Sequence, residues 1–146
     1  MEICTSGTSG ISAERFFLRL KHAEVSAIID TRLHPNSQLA GYAKQDSLEY
    51  FAKEILNITY IHEGLLCPED ADLKKYRNKE IDWDDYEIRY RKLLSDRQPV
   101  SNIDFSQWGD TPLILCSENT PEYCHRRIAA DYLRAHLENV PLIKHL

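Results

Sequence analysis

One segment decides the fold of this chain: Leu113-Ile-Leu-Cys-Ser-Glu-Asn-Thr-Pro-Glu-Tyr-Cys-His-Arg-Arg127. Its apolar start is typical of a buried strand. Thr120 followed by Pro121 is typical of a helix N-cap with proline in the first helical position. A strand that leads into a helix is the repeating unit of α/β folds, which bind ligands where their strands end. The segment therefore predicts an α/β fold with its site at this junction.

The rest of the chain repeats the alternation of strands and helices. Apolar runs predict strands at 1–5, 25–29, 58–61, 112–115 and 140–143, the last one ending at His145. Apolar residues at helical spacing predict helices that begin at Ser12, Asp46, Asp82 and Thr120. A short helix is expected in the polar stretch 67–79. This order predicts a mainly parallel five-stranded sheet with helices on both faces, a Rossmann-like three-layer sandwich.

Length and composition favour one domain that spans residues 1–146, because 42% of the residues are hydrophobic and 28% are charged. A net charge of −5 argues against a broadly basic surface for nucleic acid. The four cysteines do not form a dense disulfide framework, and the N-terminus lacks the pattern of a secretory signal. No apolar run approaches the roughly 18 residues that cross a bilayer. We expect a cytoplasmic protein with reduced thiols and no membrane association.

Polar residues follow every predicted strand. The carboxyl ends of parallel strands share one edge of the sheet, so these residues are expected to share a pocket. They are Thr5, Ser6, Gly7, Asp30, Arg32, His62, Cys116, Glu118 and His145. The start of the last helix adds Cys124, His125 and Arg126.

The residue types in this pocket predict thiolate chemistry on an anion. A helix N-terminus and Arg126 would stabilise the thiolate of Cys116 and lower its pKa. The predicted catalytic residues are Cys116, Glu118, His62 and His125, with the histidines moving protons. The predicted substrate-binding residues are Thr5, Ser6, Gly7, Asp30, Arg32, Cys124, Arg126 and His145.

Other readings of the same residues remain open. Sulfur and imidazole ligands suit zinc or iron, and Cys116, Cys124, His125 and His62 could supply them, although no Cys-x-x-Cys pair is present. The pocket could bind a phosphate-bearing molecule without reaction, or it could be an architectural network. Cysteine phosphatases carry an arginine six positions after the cysteine, where this chain has Glu122.

Taken together, these motifs resemble the domain of unknown function 488 family. The similarity runs through Thr5-Ser-Gly7, Asp30-Thr-Arg32, Tyr60-Ile-His62, Leu115-Cys-Ser-Glu118, Pro121, Cys124-His-Arg126 and His145. The resemblance implies an α/β domain with these positions grouped in one pocket. Members often carry an arginine where this chain has Gln38.

The leading hypothesis is a small enzyme that acts on an anionic substrate, either phosphate-bearing or derived from nucleic acid. The competing hypothesis is a non-catalytic module that binds a ligand or a metal in the same pocket.

Overall fold

The computed structural model describes residues 1–146. Five strands form one sheet: β1 (Ile3–Gly7), β2 (Ala27–Asp30), β3 (Thr59–His62), β4 (Pro112–Cys116) and β5 (Ile143–His145). Their order is β3-β2-β4-β1-β5, and all four pairings are parallel. The predicted five-stranded parallel sheet is thus confirmed.

Six α-helices accompany the sheet: α1 (Ala13–His22), α2 (Gln45–Phe51), α3 (Asp70–Arg77), α4 (Trp83–Arg97), α5 (Pro99–Asn102) and α6 (His125–His136). The side chain of Ser12 caps α1, as predicted, and the side chain of Asp82, where the sequence predicts that a helix begins, caps α4. The predicted cap at Asp46 is wrong, since α2 begins one residue earlier and Asp46 lies in its first turn. None of these helices is long and apolar enough to cross a membrane.

The two faces of the sheet carry separate cores because successive side chains of a strand point to opposite sides. Ile29 and Ile114 belong to a buried cluster that includes residues of α4 and α6. Ile28 and Leu113 belong to a second cluster, with residues of α1 and α2. Helices therefore cover both faces, which confirms the three-layer sandwich.

The two terminal strands differ from their predicted bounds. β1 continues through Gly7, two residues beyond the predicted end at Thr5. β5 begins only at Ile143. Val140 is buried in the core on the α6 side, and Pro141 has no N–H to donate to a strand ladder. The apolar run at 140–143 thus reflects packing more than strand pairing.

The last helix begins later than the sequence predicts. Thr120 does not cap it; α6 begins at His125, and the Sγ atom of Cys124 accepts the N–H of Arg126 at 3.5 Å. The guanidinium of Arg126 donates to the carbonyl oxygens of Glu118 and Asn119. Because these carbonyls are directed at a buried side chain, the chain between β4 and Cys124 is held as a loop.

The connections after β2 and β4 leave the sheet on opposite sides. α2 follows β2 and packs on one face, whereas α6 follows β4 and packs on the other. The two strands are neighbours in the sheet. Such a reversal opens a crevice beyond the carboxyl ends of the strands, where α/β folds bind ligands.

Candidate functional site

A cavity of about 150 Å³ occupies this crevice. Its polar lining comes from the loops after β2 and β4 and from two helices, and consists of Arg32, His34, Ser37, Gln38, Arg77, Cys116, Ser117, Glu118 and His125. An open groove of about 570 Å³ adjoins it, sharing Ser37, Gln38, Arg77 and Ser117. The site therefore combines a small inner chamber with room outside for the rest of a larger molecule.

Cys116 is the last residue of β4 and lies at the inner end of the cavity. Its Sγ atom accepts hydrogen bonds from Nη1 of Arg126 at 3.1 Å and from the backbone N–H of Glu118 at 3.3 Å. Burial raises the pKa of the Cys116 thiol, but a hydrogen bond with Cys124, the charge of Arg126 and the Glu118 N–H together outweigh it. The net pKa lies below the ordinary value, which increases the fraction of thiolate at any given pH.

Arg126 is the buried residue that donates a hydrogen bond to this sulfur. The side chain is 1% exposed, and its Nη1 atom also donates to the carbonyl oxygen of Glu118. A side chain on Gly7 would collide with that same carbonyl group and with Nη1 of Arg126. Glycine is therefore needed on β1 so that the loop and the guanidinium can approach the strand closely. No carboxylate pairs with Arg126.

Arg32 is buried after β2 and is held by a carboxylate. Its Nη2 and Nε atoms donate to Asp30 at 2.6 Å and 2.9 Å, and the hydroxyl of Tyr60 donates to the same carboxylate at 2.5 Å. Burial opposes the charge of Arg32, but the contact with Asp30 raises its pKa overall. The Nη1 atom of Arg32 has no hydrogen-bond partner in the protein.

His125 joins the two loops of the cavity. It is the first residue of α6, and its Nε2 atom donates to the carbonyl oxygen of Thr31 at 2.9 Å. Burial, with the nearby charge of Arg126, lowers the pKa of His125 to about 4. At neutral pH it is therefore a neutral imidazole.

The other predicted site residues lie outside the cavity lining. His62 contacts the carbonyl oxygen of Arg32 through Nε2 at 2.8 Å. Thr5 pairs through its hydroxyl with Nδ1 of His145 at 2.6 Å, where β1 meets β5. Ser6 is buried, and its hydroxyl donates to the carbonyl oxygen of Gly7.

The predicted residues thus divide into three groups. Cys116, Glu118, His125 and Arg32 line the cavity. Arg126 and Cys124 contact Cys116 from behind, and Asp30 holds Arg32. The remaining five, His62, Thr5, Ser6, Gly7 and His145, do not line it.

Several lining residues were missed by the sequence reasoning. Arg77 ends α3, which the sequence predicts only as a short helix in a polar surface stretch, and no local pattern connects it to the site. The hydroxyl of Ser117 donates to Oε1 of Gln38 at 2.9 Å, which links the two loops. The family pattern provided a signal for Gln38, because that position often carries an arginine.

The metal-binding hypothesis receives no geometric support. No group of three or more His, Cys, Asp or Glu side chains is placed to hold a metal ion together. His62 is near Cys67, at 3.5 Å from its sulfur, rather than near Cys116 and Cys124. Its place in the fold separates it from the other predicted metal ligands.

Comparison with known proteins agrees with the resemblance seen in the motifs. The family model described as Domain of unknown function DUF488 matches residues 12–133, which include β2, β3, β4, the cavity loops and most of α6. The searches of curated proteins and of solved structures found no match. The chain is therefore a member of the family defined as Domain of unknown function DUF488.

Proposed function

We propose that this protein is an enzyme in which the thiolate of Cys116 attacks a small anionic substrate. The observation that carries the proposal is the position of its sulfur: it lines a cavity and accepts hydrogen bonds from Arg126 and the Glu118 N–H. A thiolate stabilised by a guanidinium and a backbone N–H is an activated nucleophile. All four cysteines are free thiols, which is typical of proteins in a reducing compartment, so we propose a cytoplasmic location.

The charges around the cavity support an anionic substrate. Arg77 provides a guanidinium group, Arg32 provides an Nη1 donor without a protein partner although Asp30 balances its charge, and Glu118 provides the one carboxylate of the lining. Arginine recognises phosphates and carboxylates well because its planar group offers several donors. The groove outside the cavity can hold the remainder of a substrate, which is compatible with a phosphate-bearing or nucleic-acid-derived molecule.

Proton transfer is assigned to Glu118. Its side chain is exposed at the cavity mouth, where it can exchange protons with water. His125 is neutral at neutral pH because its pKa is about 4, so it serves by holding the Thr31 carbonyl, and it cannot be the general acid there. His62 acts indirectly, by fixing the backbone of Arg32.

A non-catalytic binding module is the second candidate. One observation favours it: the side chain of Cys116 is only 1% exposed. In that case, Arg32 and Arg77 would retain an anion, and the sulfur would merely complete the hydrogen bonds of Arg126.

The test is alkylation of Cys116 across pH 5 to 9, followed by peptide mass analysis. Iodoacetamide and iodoacetate are compared, since iodoacetate carries the negative charge that the site should recognise. We expect labelling of Cys116 to have a midpoint below the ordinary thiol pKa of about 8.5. We also expect iodoacetate to react faster than iodoacetamide, reversing their usual order, and inorganic phosphate to slow it.

Matched controls separate the nucleophile from the anion site. Cys124 is an internal control because it is equally buried and burial raises its pKa. Arg77→Gln should remove the preference for iodoacetate, whereas Arg134→Gln, at the far end of α6, should not. Labelling of Cys116 with a midpoint at or above that of an ordinary thiol would reject the enzyme. If phosphate still protected the cavity in that case, the binding module would be favoured.

A further inference from the structure

Two cysteines meet behind the cavity. Cys116 ends β4 and Cys124 precedes α6, and the interaction between their thiols lowers the pKa of Cys116 and raises that of Cys124. Arg126 contacts both: its Nη1 atom donates to Cys116 Sγ at 3.1 Å, and its backbone N–H donates to Cys124 Sγ at 3.5 Å. Both cysteines are free thiols. Arg126 thus contacts both sulfur atoms, one through its guanidinium and the other through its backbone N–H.

The two sulfurs differ in access and in charge. Cys116 lines the cavity, whereas Cys124 does not. Burial raises the pKa of Cys124 well above its ordinary value, while Arg126 and the other donors hold that of Cys116 below it. A reagent that enters the cavity therefore meets the more acidic thiol first, and the less acidic thiol of Cys124 lies behind it. This is the usual relation between an attacking cysteine and a resolving cysteine.

We propose that Cys124 is a resolving thiol and that the pair reduces hydroperoxides, with a Cys116–Cys124 disulfide as the product. The proposal rests on the thiolate of Cys116 described above, but it adds a second cysteine and a second reaction.

The chemistry balances in two steps. In the first step, the thiolate of Cys116 attacks the terminal oxygen of a hydroperoxide ROOH. The O–O bond breaks, the RO⁻ group takes a proton from water to leave as ROH, and Cys116 becomes a sulfenic acid. In the second step, Cys124 sulfur attacks Cys116 sulfur, and the hydroxyl leaves with the Cys124 proton as water. Two electrons pass from the two thiols to the peroxide, and an external thiol restores the pair.

The surroundings favour both steps. The guanidinium of Arg126 lies against Cys116, where it can stabilise negative charge as the O–O bond breaks. A disulfide requires the sulfurs to approach to about 2 Å. The loop between them can adjust, because Glu118, Asn119 and Thr120 are exposed.

The remaining cysteines lack such a partner. Cys4 is on β1, buried in the core on the α1 and α2 side. Cys67 contacts His62 and the carbonyl oxygen of Arg32, and burial raises its pKa to about 12. They serve as internal controls for nonspecific oxidation.

The experiment treats the full chain with a small excess of hydrogen peroxide at pH 7 in the presence of dimedone, which traps sulfenic acids. Wild type, Cys124→Ser and Cys67→Ser are compared by peptide mass analysis without reduction. Serine is chosen at position 124 because its hydroxyl also caps helices. Wild type and Cys67→Ser should give a peptide pair linked through Cys116 and Cys124, reversible by dithiothreitol. Cys124→Ser should instead give at least ten-fold more dimedone adduct on Cys116.

Equal dimedone adducts in wild type and Cys124→Ser, without the linked peptide, would overturn the inference. Oxidation of Cys4 or Cys67 ahead of Cys116 would overturn it too. The alkylation experiment distinguishes the two proposals. Fast alkylation of Cys116 at low pH without disulfide formation would reject only the resolving role of Cys124. Slow alkylation would reject the thiolate enzyme, regardless of the result with hydrogen peroxide.

Discussion

Two arginines are buried at the same edge of the sheet, and they are neutralised in different ways. Arg32 is paired with the carboxylate of Asp30, which also accepts the hydroxyl of Tyr60. Arg126 has no carboxylate; its guanidinium contacts a thiol and the carbonyl oxygens of Glu118 and Asn119. The charge of Arg32 is largely balanced within the protein, whereas that of Arg126 is available to the sulfur.

This difference explains why Arg32 and Asp30 form a structural pair at this edge of the sheet, whereas Arg126 activates Cys116. A buried charge without a partner is costly, so Arg32 and Asp30 each depend on the other. For Arg126, the partner is a group that can ionise, and the thiolate form of Cys116 satisfies the buried charge. The same residue type thus supports the fold after β2 and the chemistry after β4.

The largest effect is expected from Asp30→Asn, which removes the counter-charge of Arg32. The free energy of unfolding should fall by about 3 to 5 kcal/mol, because a buried guanidinium is left without its carboxylate. Urea denaturation at pH 7 measures this. Alkylation of Cys116 should change much less, because Arg126 is untouched.

The matched control removes both members of the pair. Asp30→Asn combined with Arg32→Met should recover part of the lost stability, since no buried charge remains. A loss of free energy of unfolding below about 1 kcal/mol for Asp30→Asn alone would mean that Arg32 does not depend on its carboxylate. The two arginines would then not differ as described.

The next effect concerns His125, which precedes Arg126 in sequence and contacts the residue before Arg32. Its pKa is about 4 in the folded protein and about 6.5 in an unfolded chain. Because the folded value is the lower one, the unfolded state binds more protons between these pH values. The free energy of unfolding is therefore unaffected by protonation of His125 above pH 6.5, and it decreases by about 3 kcal/mol as the pH falls toward 4.

This pH dependence can be measured by comparing wild type with His125→Gln. The stability difference between them at pH 7 should shrink, or reverse, at pH 4.5. Other titrating groups are common to both proteins, so they cancel in the difference. If the stability difference between the two proteins were the same at pH 7 and pH 4.5, the imidazole of His125 would not be held neutral between Arg32 and Arg126.

A smaller effect in free energy, but a decisive one for the site, is expected from Arg126→Met. The pKa of Cys116 should rise, so its rate of alkylation at pH 7 should fall at least ten-fold, or about 1.4 kcal/mol. The alkylation profile across pH measures the shift directly. Arg126→Lys keeps a charge but cannot reach all three acceptors, so it should lie between wild type and methionine. If methionine left the rate unchanged, the charge of Arg126 would have no special role.

Local patterns were sufficient for most of the fold. The cap at Ser12 was predicted because a side-chain oxygen at a helix start satisfies a free backbone N–H within three residues. The buried strands were predicted because their hydrophobic runs are short and continuous. The parallel order then follows from strands that alternate with helices.

The start of α6 shows where such patterns fail. Thr120 and Pro121 have the composition of a helix start, yet the helix begins at His125. The deciding contact joins Arg126 to carbonyl groups seven and eight residues earlier, through a side chain buried against β1. No local propensity contains this contact.

The sequence by itself determined the parallel α/β fold and the edge at which its polar groups gather, because both depend on hydrophobic periodicity and on the common direction of parallel strands. Only the tertiary structure decided which of those groups share a cavity. It paired His145 with Thr5 and His62 with the backbone of Arg32, and it brought in Arg77 from α3. The physical reason is that side-chain partners are chosen by packing between distant segments, which short-range patterns do not encode.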